Sequence, residues 1–259
     1  MDLAKYLGRR VKTAVSIIAL VIFSSHQYAT AQQNNTLAEK SARGIHQRIA
    51  AAKELYNNKL YNSALNEFDD IVRLLDTDDD ASHRVVAEME GYRTLCLIMI
   101  KSPNAHNAAQ EYEKRFPHSH LCNSIRYSRA LSHFDNGEYV QAGRLFDAVD
   151  KRSLAKEERS GYNFRRAYCK MRSGNTASAI NIFNGVISEG NTPYLIPSHY
   201  YCGYLLYAVE EFGEAIPHFE KAMNDTRFNL LCKSHLLECR FMLKDYDYVV
   251  SQGPALYQE

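Results

Sequence analysis

Five alanines at a near-regular spacing along this chain are each followed four residues later by an aromatic side chain: Ala64/Phe68, Ala108/Tyr112, Ala142/Phe146, Ala179/Phe183 and Ala215/Phe219. Val249 holds a sixth, degenerate position, and the six positions lie 44, 34, 37, 36 and 34 residues apart. A period of about 34 residues is that of a helix–turn–helix repeat. One helical hairpin cannot cover its own apolar face, whereas a stack of hairpins can. The repeat therefore predicts an all-α, right-handed α-solenoid, an architecture whose walls suit the holding of other molecules.

Each unit follows one grammar. A first helix ends at a Gly or polar turn (Asn57-Asn58-Lys59, Asn136-Gly137-Glu138, Ser173-Gly174-Asn175, Glu210-Glu211), and a second helix then carries the small–large pair. Twelve residues before each small residue the first helix offers another: Ala52, Cys96, Ala130, Ala167 and Gly203, with Leu237 as the exception. Two helices joined by a short turn approach closely only where neither carries a large side chain, and the aromatic one turn on fills the space towards the next hairpin. An aromatic also recurs three residues before the small position, at Tyr61, Tyr139, Phe212 and Tyr246. No stretch alternates apolar and polar residues as a half-buried strand does.

This pattern resembles the tetratricopeptide repeat, most closely in AVEEFGEAIPHFEKA (Ala208–Ala222) and FDNGEYVQAGRLFDAV (Phe134–Val149). The resemblance covers nearly all of 45–252, read as five full hairpins and part of a sixth. It departs from the family in lacking the first-helix Trp, in Pro103 at the second unit's turn, and in the long first interval. Phe116-Pro117-His118-Ser119 is similar to the inter-repeat turn of bacterial envelope members. In the family, one face of each first helix lines a concave groove. Carried over, that face comprises Tyr127, Leu131 and Phe134, then Phe164, Tyr168 and Met171, then Tyr200, Tyr204 and Tyr207. Each trio falls at i, i+4, i+7 and so shares a helical face. The alternative for Phe134 and Phe164 is a place in the core. The Tyr trio is expected to form an exposed aromatic strip with Tyr168, because a phenol needs water or a polar partner. Members that grip a chaperone's C-terminal carboxylate use Lys, Arg and Asn at these places, and that clamp does not carry over.

The resemblance implies a non-catalytic scaffold binding a protein or peptide segment. The alternative is a helical accessory region of a larger envelope enzyme or assembly machine. Several chemistries are disfavoured by the residues themselves. There is no HExxH, GxSxG, glycine-rich phosphate loop or dinucleotide fingerprint, and no cofactor is expected. A net charge of +1 argues against electrostatic capture of nucleic acid. His118, His120 and Cys122 cluster near one turn but fall short of a four-ligand metal site. The Asp76–Asp80 run has Ala81 where a calcium loop needs its sharp-turn Gly and Ala87 where it needs its bidentate Glu, so it reads as a solvated loop.

Residues 1–31 read as a secretory signal. Lys5, Arg9, Arg10 and Lys12 precede the apolar run 14–23, and Ala29-Thr30-Ala31 offers a small-x-small cleavage site. Export to the periplasm or envelope is therefore expected, with 32–44 as a flexible lead-in and no membrane insertion after cleavage. Six Cys in an exported chain invite disulfides. However, most lie in successive first helices, which pack about 8–10 Å apart and too far for a bridge. Buried free thiols are expected instead. At the other end, Gly253-Pro254 is expected to stop the sixth unit's second helix, leaving 253–259 as a tail. The edge of Phe241, Leu243, Tyr248, Val249 and Val250 would then be left open for self-association or further repeats.

Overall fold

A computed structural model describes residues 43–75 and 80–256. The expected signal segment and most of the Asp76–Asp80 run lie outside the described residues. Helix α1 spans 43–57. It is followed by α2 (Tyr61–Leu74), α3 (Asp80–Met99), α4 (Ala105–Arg115), α5 (Leu121–Asp135), α6 (Tyr139–Ala148), α7 (Lys156–Arg172), α8 (Thr176–Glu189), α9 (Leu195–Ala208), α10 (Phe212–Ala222), α11 (Asn229–Met242) and α12 (Tyr246–Leu256). A single turn of 3₁₀ helix at Lys151–Ser153 links α6 to α7. No strand occurs among the described residues. The chain divides into two compact units within α3, after Arg93.

In the first unit residues 43 and 44, expected to belong to the linker, are already helical. Ala52 on α1 and Ala64 on α2 are wholly buried, as is Phe68 one turn on from Ala64. Tyr92 of α3 stacks on Phe68 with centroids 5.4 Å apart and meets Tyr56 of α1 edge-on at 5.2 Å. Ion pairs Arg48–Glu67 (2.9 Å), Lys53–Glu88 (2.8 Å) and Arg93–Asp69 join the three helices.

In the second unit each helix from α5 to α12 packs on the next, and α9 also meets α11. This is a stack of antiparallel hairpins, and the small–large pairs hold it together. Ala142, Ala179 and Ala215 are buried at 0% exposure, as are Phe146, Phe183 and Phe219. Burying one such ring stabilises by about 1.5–3 kcal/mol. Ala130 and Ala167 on the first helices are equally closed off. The second hairpin departs from the register. There Ala109, not Ala108, is the fully buried alanine, with Tyr112 2% exposed. The reason is its turn: α4 starts four residues after Lys101, whereas the other second helices start two residues after the corresponding turn residue. With Ser102-Pro103 added, the buried alanine of α4 falls four residues after the helix start, against three in its sister helices.

The turns repeat as faithfully as the core. Lys59, Gly137, Gly174, Glu210 and Lys244 each have φ between 62° and 78°, and each stands five residues before its unit's small position. After each, the next N–H reaches back to close the first helix: Glu138 to His133 O, Asn175 to Lys170 O, Glu211 to Leu206 O and Asp245 to Arg240 O, all at 2.9 Å. This is the Schellman arrangement, in which a left-handed residue lets the chain reverse while orphan carbonyls are satisfied. Glycine fills only two of these five positions.

The six thiols are free and buried, as expected. Burial pushes Cys169 and Cys202 up to about 12, so neither is a ready nucleophile. The C-terminal expectation needs correction, because α12 continues through Gly253-Pro254 to Leu256. Pro254 falls in the last described turn of α12, where its missing donor interrupts only one backbone bond. Residues 253–256 are thus helix rather than tail. Of the expected open edge, Phe241, Leu243 and Val250 are exposed, while Tyr248 and Val249 are half-buried.

Candidate functional site

The expected groove residues sit on α5, α7 and α9, and the structure sorts them. Tyr127 turns inward. It is 9% exposed, packed against Phe146 and Tyr162 at 6.3 Å each, and unavailable as a groove wall. Its position precedes Ala130 by three residues, and the short inter-hairpin segment at Lys151–Ser153 lets Tyr162 of α7 close over it. Leu131, Phe134, Phe164, Tyr168, Met171, Tyr200 and Tyr207 are half-buried. Tyr204 alone of the set is exposed, at 42%.

The rings that remain at the surface touch in sequence. Phe134 meets Tyr139 at 5.4 Å and Tyr168 at 5.6 Å, and Tyr168 meets Tyr201 at 5.2 Å. Tyr201 meets Tyr200 at 5.2 Å, and Tyr200 stacks on Phe228 at 4.5 Å. Phe164 stacks on Tyr194 at 5.1 Å beside this row. Tyr204 and Tyr207 instead flank His235 of α11, at 5.9 and 5.0 Å. The expected strip is therefore half-buried rather than exposed, and its continuity from Tyr168 to Tyr200 runs through Tyr201. Four of these eight contacts have the edge-to-face geometry that suits the ring quadrupole.

Sequence reasoning missed Tyr201, Tyr139, Tyr194 and Phe228, and with them the cations laid over the rings. Arg165 lies 5.5 Å from the Tyr194 centroid and 5.9 Å from that of Phe134. Arg172 lies 4.8 Å from the Tyr139 centroid, and Arg227 lies 5.3 Å from that of Phe228. The signal was present in the repeat register. Tyr201 and Arg165 both stand two residues before their unit's first-helix small residue, Gly203 and Ala167. That position was not on the assumed groove face.

The surface is electrically quiet in its phenols. Burial, then the neighbouring Tyr168, raises Tyr139, and burial raises Tyr200 and Tyr201. A hydrogen bond from the Tyr207 hydroxyl to the Glu238 carboxylate, then burial, raises Tyr207. These rings stay neutral. Elsewhere, His118 and His120 are exposed, whereas Cys122 is buried and donates to Phe116 O at 3.2 Å. Ser119 meets the Tyr112 hydroxyl at 2.7 Å and accepts from Leu121 N–H, so it shapes the turn. Among the described residues no three His, Cys, Asp or Glu converge as metal ligands, and no helix is long and apolar enough to cross a membrane.

The backbone course has counterparts among solved structures. A structure of Pseudomonas aeruginosa PilF matches at 12% identity over 83% of this chain and 90% of that one, with a TM-score of 0.50. PilW, a type IV pilus biogenesis factor, matches at 15% identity over 83% of this chain and 93% of its own, with a TM-score of 0.43. A putative kinesin light chain of nearly identical TPR-like repeats, from Podospora anserina, matches at 13% identity over 69% and 92%, with a TM-score of 0.49. This chain has the tetratricopeptide-repeat fold. No family model matches the chain, and no curated protein matches it. At these identities the likeness is one of tetratricopeptide fold and carries no partner.

Proposed function

We propose that this protein is a non-catalytic scaffold of the cell envelope that binds a peptide or protein segment along the aromatic surface of α7 and α9. The observation that carries this reading is the row Phe134–Tyr168–Tyr201–Tyr200–Phe228, whose rings hold one another in place while remaining half open. Aromatic rings fixed in this way offer large contact area at little entropic cost, which is what interface hot spots need. The thiols are buried and the phenols neutral, which supports a surface for holding rather than reacting. Export through residues 1–31 remains part of the proposal. Its support is the basic start, apolar run and small-x-small site in the sequence.

Panning a displayed peptide library on the full chain tests the binding half. Selected peptides should bind the wild type and lose about tenfold or more on Tyr168→Ala/Tyr204→Ala. Selection of no peptide, or peptides indifferent to these changes, would overturn the reading. Fusing residues 1–35 to a reporter tests export. The reporter should leave the cytoplasm with Gln32 as the new N-terminus, and retention starting at Met1 would contradict it.

A further inference from the structure

We propose that the groove selects an acidic segment, with Arg165 and Arg172 receiving its carboxylates on either side of Tyr168. This rests on the reading of the aromatic surface as a peptide groove. The three residues stand at i, i+3, i+7 on α7, so they form one stripe of that helix, and the two arginines are about 10 Å apart along its axis.

The four cations in the C-terminal half of α7 fall into two groups. Arg166 and Lys170 share Asp147 of α6, at 2.7 and 2.6 Å, and are thereby engaged within the fold. Arg165 and Arg172 have no carboxylate within 4 Å among the described residues. They lie on aromatic rings instead, Arg165 on Tyr194 and Phe134, Arg172 on Tyr139. Arg165 Nη1 donates to Gly161 O at 3.2 Å and to the Tyr194 hydroxyl at 3.1 Å, which fixes the plane of the guanidinium. Its Nε–H and Nη2–H groups are left for a ligand. Arg172 bonds to the Tyr168 hydroxyl. A guanidinium stacked on a ring keeps its N–H edge free, and that edge matches a carboxylate through two parallel hydrogen bonds.

The acids nearby do not compete for these two positions. Glu158 accepts from Ala155 N–H at 3.2 Å at the start of α7, and Glu238 bonds to Tyr207 at the α11 side of the surface. Arg227 is already held by Asp225 at 2.7 Å. An extended peptide advances about 3.1 Å per residue in a polyproline II conformation. Two acids three positions apart, with an apolar residue between them on Tyr168, would therefore span the arginine pair.

The test uses the full chain and two fluorescein-labelled 12-residue probes read by anisotropy. One carries Glu at every third position with Leu and Phe between, and the other has Gln in place of each Glu. The acidic probe should bind about tenfold tighter at about 50 mM salt, and this preference should shrink at about 300 mM. In Arg165→Gln/Arg172→Gln the two probes should bind alike, with helicity unchanged. Arg144→Gln, an exposed cation on α6, should leave the preference intact. Equal binding of the two probes, or a preference that survives the double variant, would overturn the inference while leaving the groove standing. Failure of both probes to bind would overturn the inference together with the groove reading.

Discussion

Gly203 on α9 lies so close to Phe219 on α10 that a β-carbon at 203 would sit 3.1 Å from Cε1 of the ring. His218 Cβ is equally near, at 3.1 Å. The glycine is needed for close approach and not for an unusual φ. It is the small residue expected twelve positions before Ala215, now seen against the aromatic that the repeat places one turn later.

Enlarging this contact should be costly. Gly203→Leu or Ala179→Trp is expected to destabilise by about 1–3 kcal/mol or more, because overpacking forces helices apart. Urea unfolding followed by circular dichroism measures it. An unchanged midpoint for both variants would contradict the assigned register.

The turns predict the opposite sign. A left-handed backbone costs a non-glycine residue about 1–2 kcal/mol, against a smaller entropic penalty for glycine in the unfolded chain. Glu210 (φ 65°) and Lys244 (φ 64°) occupy the positions that Gly137 and Gly174 fill in sister hairpins. Glu210→Gly and Lys244→Gly should each stabilise by about 0.5–1 kcal/mol. Gly174→Ala should destabilise by a similar amount. Thermal denaturation of the three variants decides both directions.

Acid should loosen the fifth hairpin. His199 and His218 meet through their Nδ1 atoms at 3.1 Å across α9 and α10, with Cys202 Sγ 3.8 Å from His218 Nε2. Burial, then the facing His218 and Lys221, holds His199 down to about 4. Burial also lowers His218, with Glu214 acting in the opposite sense. The unfolded chain takes up these protons near pH 6.5 and the folded chain only lower, so stability is full above about 6.5 and falls as pH drops towards 4. Tm against pH should fall over that window, and more steeply for the wild type than for His199→Gln/His218→Gln. Parallel profiles would sink this account.

The fold was legible because the repeat writes one steric rule several times, and Ala142, Phe146, Ala179, Phe183, Ala215 and Phe219 all obey it. Departures came where a local insertion acts on geometry. Ser102-Pro103 shifts the buried alanine from 108 to 109, and a proline in a last turn need not end a helix. The site was harder to read. A heptad face tells which residues share a stripe of one helix, but not whether the next hairpin covers it. That is why Tyr127 proved to be core and Tyr201 proved to be the half-buried link of the aromatic row. The arginines were invisible to a search for aromatic spacing, because their placement depends on rings from α5, α6 and the turn before α9.

Tyr201 and Tyr204 should separate structure from binding. Tyr201→Ala removes a ring that touches Phe164, Tyr168, Phe183, Tyr200 and Phe228, and should cost about 1–3 kcal/mol of stability. Tyr204→Ala, at an exposed ring, should leave the unfolding midpoint nearly unchanged and weaken peptide binding.

The most direct measurement of the central claim is a tyrosine-selective NMR titration of the full chain with a peptide selected by panning. The account predicts ring-signal shifts at Tyr168, Tyr200, Tyr201 and Tyr204. Tyr127 and Tyr162, the latter buried with its hydroxyl donating to Phe146 O at 2.9 Å, should stay still. Shifts confined to tyrosines outside α7 and α9, with those four unmoved, would contradict it.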